Sequence, residues 1–383
     1  MNRILSLLSI MVFILALTTS TFANEAKLNS PKPLKTYFIG FNNKVDLNLI
    51  QSYGSQVKRE YKYMPMVAVK LPDQAMQALM NNPAISYVEE DGEVQAIGQL
   101  VPWGIPHVKA TDVQQTGVKG LSIKVGIIDT GIDDTHEDLK VSGGVTFVQG
   151  TNDYMDDNGH GTHLAGTIAA LDNSLGIIGV APQASLYAIK VLDQYGSGSY
   201  SDVVAGIEWA ITNHMDIVNM SLGGSNSSRT LQTAVDNACN AGILLVAAAG
   251  NNGYDKKGTI TYPAKYDSVI AVGAVDQQNN RASFSSVGRE LELMAPGVSI
   301  QSTMPGGYST YNGTSMAAPH VTGVAALVLE TYPELDNVQI RNTLNESVAV
   351  LGDSFSYGNG LVNAWEAVNS SGSNSGNKGK GKK

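Results

Sequence analysis

Ile123-Lys-Val-Gly-Ile-Ile-Asp-Thr-Gly131 is an almost unbroken apolar run that ends on a carboxylate and a glycine. Such continuous apolarity, without alternation, is typical of a strand that is covered on both faces in a parallel sheet. Similar runs follow, separated by alanine-rich sequence with helical spacing, at 185–192, 217–221, 243–248 and 269–275. The sequence therefore predicts a three-layer α/β domain with a mostly parallel central sheet.

A smaller unit precedes this domain in the sequence. The apolar spacing predicts, in order, a strand, a helix, two paired strands, a helix and a strand, at 35–41, 45–53, 57–71, 72–80 and 85–91. This order is that of ferredoxin-like α+β units. We expect a signal peptide at 1–23, the small unit at 24–97, the α/β domain at 98–369 and a disordered basic tail at 370–383.

Composition and charge restrict the environment and the partners. Met1–Ala23 carries one arginine, then an apolar run, then small residues, which is the pattern of a secretory signal, although an uncleaved anchor starts in a similar way. The net charge of −9 argues against a nucleic-acid partner, and the single cysteine excludes an intrachain disulfide. We expect a secreted monomer with no stable membrane association once the signal is removed.

Asn312-Gly-Thr-Ser-Met-Ala-Ala-Pro-His320 introduces a long apolar helix. Pro319 lacks an N–H and is tolerated only in the first turn, so the helix should begin close to Ser315. The dipole and the N–H groups of a helix start favour negative charge beside Ser315, which suits a nucleophile whose reaction creates an oxyanion. A lone serine at such a place more often caps the helix, so the choice depends on other polar groups.

Three further polar residues occupy strand ends or helix starts of the same domain. Asp129 ends the first strand, His160 stands at the start of a small-residue helix, and Asn251 follows the fourth strand. An imidazole held by a carboxylate can take the Ser315 proton, and the amide can donate to an oxyanion. Taken singly, these residues are also consistent with an Asx turn, a core histidine, a His-x-x-His zinc pair with His163, or a loop cap.

Three motifs in the order Asp, His, Ser resemble those of the subtilisin family of serine proteases: Val125–Gly131, His160–Gly166 and Gly313–Pro319. The similarity extends over residues 98–369. It implies that Asp129 orients His160, and that His160 acts as base and then as acid while Ser315 attacks the substrate. It also implies an oxyanion hole made by the Asn251 amide and the Ser315 N–H.

The resemblance further implies a serine endopeptidase of broad specificity that prefers a large apolar side chain before the scissile bond. One segment matches the backbone that pairs with an extended peptide: Ser221, Leu222 and Gly223. Residues 196–200 match the opposite rim, where Tyr200 would cover a distal pocket, and Gly250 matches a further substrate contact. The implied partners are protein and peptide substrates.

Leu171-Asp-Asn-Ser-Leu-Gly-Ile177 interrupts helical sequence with polar and turn residues, as a cation loop built on backbone carbonyls would. By resemblance the cation is Ca²⁺, and its ligands are the side chains of Gln99, Asp138 and Asn173 with the carbonyls of Leu171, Leu175 and Ile177. Such a site would stabilise the folded state. A weaker second site near Ala264, Tyr266 and Val269 stays open.

The resemblance gives residues 24–97 the role of a propeptide. Residues 92–97 would occupy the substrate groove as a product-like strand, so that the unit inhibits the enzyme and assists its folding. Self-cleavage is then expected near Ile97–Gly98. The chain's own propeptide is therefore a further expected partner.

Two other functions compete with this interpretation. Asp129-Thr-Gly131 matches the aspartic-protease signature, but that chemistry needs two carboxylates and the sequence has no second Asp-Thr/Ser-Gly. A secreted binding protein could keep the fold with a silent site, although the presence of all four polar groups argues against it. Covalent labelling of Ser315 by a phosphonyl fluoride separates these alternatives.

Overall fold

The computed structural model describes residues 34–92 and 98–370, and the chain divides into two compact units at residue 96. The predicted signal peptide at 1–23, the cleavage point at Ile97 and the tail from 371 lie outside the described residues. Within the described ranges, none of the helices combines the length and the hydropathy that a membrane span requires.

The first unit has the element order that its sequence predicts. It contains β1 (Lys35–Phe41), α1 (Leu47–Ser52), β2 (Gln56–Glu60), β3 (Met66–Leu71), α2 (Asp73–Met80) and β4 (Ile85–Glu90). Its sheet is antiparallel, in the order β2-β3-β1-β4. The two central strands hold the core of the unit, where Ile39, Val67 and Leu71 are fully buried. The ferredoxin-like α+β arrangement is confirmed.

A seven-stranded sheet forms the centre of the second unit. Its strands are β5 (Lys124–Asp129), β6 (Val141–Thr146), β7 (Ser185–Lys190), β8 (Ile217–Met220), β9 (Leu244–Ala248), β10 (Ile270–Val275) and β11 (Leu291–Pro296). Their order is β11-β10-β9-β8-β5-β7-β6, and all neighbouring pairs run parallel. The predicted parallel sheet is therefore confirmed.

Helices cover both faces of this sheet, and a small hairpin stands apart from it. The helices are α3 (Gly104–His107), α4 (Ala110–Gln114), α5 (His160–Ala169), α6 (Tyr200–Thr212), α7 (Arg229–Asn240), α8 (Thr314–Thr331), α9 (Asn337–Glu346), α10 (Ser354–Tyr357) and α11 (Ala364–Asn369). The antiparallel hairpin consists of β12 (Ile300–Met304) and β13 (Gly307–Tyr311).

The central strand β5 shows why its sequence is apolar throughout. Successive side chains of a strand point to opposite faces. Ile127 packs into the core that contains α5 and α8, whereas Ile128 packs into the core that contains α6 and α7. Both isoleucines are fully buried. Burial on both faces is the physical basis of the three-layer fold.

The two edge strands differ from the sequence expectation, which included neither. β6 lacks an apolar run because it lies at one edge, is only partly buried, and contains Gly143 and Gly144. β11 lies at the other edge and carries the buried Glu292, whose carboxylate is paired with the Arg341 guanidinium at 2.7 Å. A buried charge that is matched by a distant partner interrupts the apolar run of its strand.

Helix α8 begins at Thr314, close to Ser315 as expected, but its proline is not restricted to the first turn. Pro319 is inside the helix and beyond its first turn. Its missing N–H would have bonded to the Ser315 carbonyl, four residues earlier. That carbonyl instead accepts a hydrogen bond of 2.9 Å from the Ser221 hydroxyl. A side chain from another element thus replaces the lost backbone donor.

Candidate active site

The carboxylate and the imidazole that the motifs predict form a pair. Asp129 ends β5 with its side chain fully buried, and His160 starts α5 with its side chain 26% exposed. His160 Nδ1 lies 2.7 Å from Asp129 Oδ1, which also accepts from the Thr130 N–H at 2.8 Å. Because a carboxylate only accepts, the proton lies on Nδ1 and leaves Nε2 as the basic nitrogen. This carboxylate pairs with an imidazole, which does not support the aspartic-protease alternative.

Two opposing effects act on the pKa of His160. Burial lowers it by disfavouring the imidazolium, while the Asp129 charge, the hydrogen bond from His160 to Asp129 and the Asp156 charge raise it. The net effect raises the pKa above its ordinary value of 6.5. The imidazole is thereby made a stronger base than a free histidine.

Asp156 holds the start of α5 in place and was missed by the sequence analysis. Its Oδ2 accepts from the Thr162 N–H at 2.8 Å, and its Oδ1 accepts from the Gly159 N–H and the Thr130 hydroxyl, each at 2.8 Å. The Thr130 hydroxyl in turn accepts from the Gly161 N–H at 2.9 Å. These bonds connect the end of β5 to the start of α5. The signal was an acidic residue just ahead of a helix, which satisfies free N–H groups there.

Helix α5 also approaches the end of β5 more closely than a side chain allows. A Cβ built on Gly161 would overlap the carbonyl oxygen of Gly131. Glycine at this position therefore permits the close contact that brings His160 to Asp129.

His163 lies inside the core rather than at the surface of the site. It is fully buried, its ring stacks on Tyr311 with 4.8 Å between centroids, and its Nε2 lies 3.0 Å from the Ile300 carbonyl. A carbonyl only accepts, so Nε2 carries a proton and cannot bind a metal. Burial lowers the pKa of His163 to about 4. Nothing in this geometry supports a zinc pair with His160.

Ser315 does not cap α8. The residue at the N-cap position is Gly313, which has no side chain to cap the helix. The Ser315 hydroxyl donates to the Ser221 carbonyl at 3.2 Å. By contrast, Ser228 is a true N-cap, because its hydroxyl accepts from the Leu231 N–H at the start of α7. The helix-capping interpretation of Ser315 is therefore not supported.

Asn251 is oriented by Thr314, the residue before Ser315. Asn251 Oδ1 accepts from the Thr314 N–H at 2.9 Å and lies 3.0 Å from its hydroxyl. With its oxygen so engaged, the amide has its NH₂ group left to donate. A Cβ built on Gly313 would lie 3.6 Å from both Asn251 Nδ2 and the Ser315 nitrogen. The two donors that the resemblance assigns to an oxyanion hole therefore both lie near Gly313.

The predicted substrate segments line a single cleft of 540 Å³ beside His160. Residues 196–200 and 221–223 both contribute to its wall. Tyr200 is more than an exposed loop aromatic, because it starts α6 and its hydroxyl donates to the Asn226 carbonyl at 2.7 Å. Gly250 is not among the residues that line this cleft; its N–H donates to the Thr314 hydroxyl at 3.1 Å.

The predicted calcium loop gathers oxygen atoms around the Gln99 amide. Gln99 Nε2 lies 2.5 Å from the carbonyl oxygens of Leu171 and Ile177, and 3.4 Å from Asn173 Oδ1. The Gln99 amide therefore donates to oxygens that the resemblance names as calcium ligands.

Asp138 completes one side of this loop. Its Oδ1 accepts from Asn173 Nδ2 and its Oδ2 from the Ile177 N–H, each at 2.9 Å. The Leu175 N–H donates to Asn173 Oδ1 at 2.6 Å. The described residues contain no group of three or more His, Cys, Asp or Glu that could hold a metal. One carboxylate with amides and carbonyls is a donor set that suits a hard cation such as calcium.

The second cation position that the resemblance left open has a competing charge. The Arg341 guanidinium donates to the Asp267 carbonyl at 2.6 Å and to the Val269 carbonyl at 3.4 Å. Val269 is one of the residues named for that position. A fixed positive charge on its carbonyl disfavours a cation there.

The chain has extensive similarity to known proteins. The subtilase family profile matches residues 120–360. Subtilisin NAT of Bacillus subtilis subsp. natto is 49% identical over 374 residues, covering 95% of this chain and 98% of that protein. Subtilisin DY of Bacillus licheniformis is 61% identical over 272 residues, 70% of this chain and 99% of that protein. The alkaline protease of Shouchella clausii is 47% identical over 369 residues, with coverages of 92% and 96%. Extended matches of this kind show that the chain belongs to the subtilase family.

Proposed function

We propose that the chain hydrolyses peptide bonds in proteins through an acyl-enzyme formed on Ser315. Family membership makes it a serine endopeptidase. The observation that supports these residue roles is the 2.7 Å hydrogen bond between Asp129 and His160, at the edge of a cleft lined by 196–200 and 221–223.

In the first step, His160 Nε2 takes the proton of Ser315 Oγ as this oxygen attacks the carbonyl carbon of the peptide bond. The resulting oxyanion accepts from the Ser315 N–H and Asn251 Nδ2. His160 then gives its proton to the leaving amine, and the C–N bond breaks. Water attacks the acyl group in the reverse sequence and restores the Ser315 hydroxyl. Asp129 stabilises the imidazolium throughout.

Phosphonyl fluoride labelling tests this proposal. Mature enzyme is treated with the reagent, digested, and mapped by mass spectrometry. We expect one phosphonyl group per molecule, attached to Ser315. The fraction of labelled enzyme should equal the fraction of activity lost. An active enzyme that carries no adduct on Ser315 would contradict the assignment of the nucleophile, and labelling should fail when His160 is replaced by alanine.

The cleft supports binding of an extended peptide with broad specificity. Ser221, Leu222 and Gly223 offer backbone groups, and backbone pairing reads the main chain rather than side chains. Tyr200 lines the cleft, and its hydroxyl donates to the Asn226 carbonyl. Digestion of a random peptide library should show many cleavage sites, with large apolar residues enriched before the scissile bond.

The midpoint on the acid side of the pH–rate profile should lie above pH 6.5, because the pKa of His160 is raised above that value. Only neutral His160 can accept the Ser315 proton, so kcat/KM should rise as pH passes upward through this pKa and stay high into mild alkali. Initial rates from pH 5 to 10 measure the midpoint. Enzyme preincubated at each pH and assayed at one pH controls for unfolding. An acid optimum would contradict this assignment.

We also propose that the loop at 171–177 binds calcium together with Gln99, Asp138 and Asn173, with the Leu175 carbonyl as a further ligand. The support is the group of oxygens around Gln99 Nε2. Calcium at about 100 times its Kd would stabilise the folded state by about 2.7 kcal/mol and raise Tm by roughly 5–10 °C. Calorimetry with calcium or with excess chelator measures this shift.

Asp138→Asn provides the matched control for the calcium prediction. Asparagine has nearly the same shape and can still accept from the Ile177 N–H, but it removes the only carboxylate among the proposed ligands. Tm of this variant should be almost independent of calcium. Magnesium should stabilise the native protein less, because it requires a tighter octahedral site. An equal Tm with calcium and with chelator in the native protein would refute the site.

We further propose that residues 1–23 direct secretion and that residues 24–97 are removed by self-cleavage. The N-terminus of the mature enzyme should lie at or next to Gly98, as Edman sequencing of secreted protein can test. Ser315→Ala should accumulate as the uncleaved precursor. If purified Ser315→Ala matures at the same bond and rate, cleavage does not depend on this enzyme's own nucleophile.

A further inference from the structure

The carbonyl of Ser315 is a partly buried acceptor that lacks the usual helical donor four residues later. Position 319, four residues later, is proline and has no N–H to donate. The Ser221 hydroxyl takes this role at 2.9 Å, and the Ser221 side chain is almost completely buried. In return, the Ser315 hydroxyl donates to the Ser221 carbonyl at 3.2 Å. The two serines therefore hold each other through two hydrogen bonds.

Two more buried side chains extend this contact into the core. Asn219 Nδ2 donates to Ser221 Oγ at 3.0 Å, and the Thr322 hydroxyl lies 3.0 Å from Asn219 Oδ1. The same hydroxyl lies 3.1 Å from the Ala318 carbonyl, so its proton is shared between the two acceptors. Asn219 and Thr322 are both fully buried. The donors run in one direction, from Thr322 through Asn219 and Ser221 to the Ser315 carbonyl.

This buried chain joins two elements at the point where the reaction takes place. Asn219 belongs to β8 and Ser221 follows it, whereas Ser315 and Thr322 both belong to α8. The chain therefore fixes the first turns of α8 against the end of β8. Because hydrogen bonds hold both the carbonyl and the hydroxyl of Ser315, they restrict the positions that its Oγ and its N–H can take.

We propose that Asn219 and Thr322 are positioning residues for the nucleophile and act through the Ser221 hydroxyl on the Ser315 carbonyl. The inference rests on the proposed role of Ser315. Small displacements of a reacting group carry large rate penalties, so loosening this chain should slow the chemical step. If the chain only stabilised the fold, its loss would lower Tm without a selective loss of kcat.

The test compares three variants of α8. Thr322→Val removes the hydroxyl with little change in shape, and Thr322→Ser retains it. Thr331→Val is the matched control, because the Thr331 hydroxyl also donates to the carbonyl four residues earlier, at 2.9 Å, but lies nine residues further along the helix. For each variant, kcat and KM on a peptide amide, the rate of phosphonylation and Tm are measured.

We expect Thr322→Val to lower kcat and the phosphonylation rate by about three- to tenfold with KM within about twofold of the native value. Thr322→Ser should restore both rates, and Thr331→Val should retain them. Native kcat in Thr322→Val, with a Tm loss like that of Thr331→Val, would overturn the inference. Absence of label on Ser315 in the native enzyme would instead overturn the proposed function.

Ser221→Ala, alone and combined with Thr322→Val, tests whether Thr322 acts through the Ser221 hydroxyl. If Thr322 acts through the Ser221 hydroxyl, the double variant should be no slower than Ser221→Ala alone. Multiplicative losses in the double variant would show that Thr322 acts by another path and would overturn the inference.

Discussion

Ser315→Ala is expected to lower kcat by about 10⁶-fold, the magnitude established for the nucleophile of subtilisin itself rather than one derived from this geometry. Without Oγ there is no acyl-enzyme, and His160 has no proton to accept. Peptide affinity should be retained, because the cleft formed by 196–200 and 221–223 is unchanged. Single-turnover assays measure the rate, and fluorescence titration with a peptide measures affinity.

Ser228→Ala is the matched control for a serine at a helix start. Ser228 caps α7 through a hydrogen bond from the Leu231 N–H, so its loss should cost about 1 kcal/mol of stability and leave kcat unchanged. Ser315→Ala should show the opposite, with lost turnover and nearly unchanged Tm. A large fall in Tm for Ser315→Ala with residual kcat near the native value would make Ser315 a structural residue.

Asn251→Ala is expected to lower kcat by about 10²–10³-fold with little change in KM, again a magnitude established for the corresponding amide of subtilisin. Asn251 Nδ2 would meet full negative charge only in the transition state, so its removal should not weaken binding of the uncharged substrate. Steady-state kinetics on a peptide amide give both constants.

Two controls separate donation by Asn251 from its contact with Thr314. Asn252→Ala changes the neighbouring asparagine, whose side chain donates to the Thr259 carbonyl, and should retain native kcat. Asn251→Asp keeps an oxygen for the Thr314 N–H but removes the amide donor, so it should be as slow as Asn251→Ala. A raised KM with unchanged kcat in either Asn251 variant would mean that the amide binds the ground state.

The sequence predicts the centre of the fold better than its edges. β5 lies within the apolar run 123–131 from which a buried strand was predicted, because a strand covered on both faces is apolar at most positions. The edge strands β6 and β11 were not predicted. β6 is only partly buried, and β11 contains Glu292, whose charge is paired with the distant Arg341 guanidinium. Local sequence cannot report a partner that lies 49 residues away.

The candidate site shows the same division. Asp129, His160 and Ser315 could be identified from the sequence because each lies in a short motif that contains small residues. Thr314 could not be connected to Asn251, because 63 residues separate them and only the fold brings them together. The buried contacts of Asn219 and Thr322 could not be predicted either, because each is a single polar residue in an apolar run.

The close backbone contact at Gly161 restricts the substitutions that this protein can tolerate. With no room for even a methyl group against the Gly131 carbonyl, position 161 should tolerate only glycine when the gene is randomised and selected for protease secretion. Such a profile resembles that of a residue that performs chemistry, although Gly161 has no side chain. Mutational intolerance at this position would therefore measure how closely two backbones approach, and an engineer who redesigns the cleft should leave it untouched.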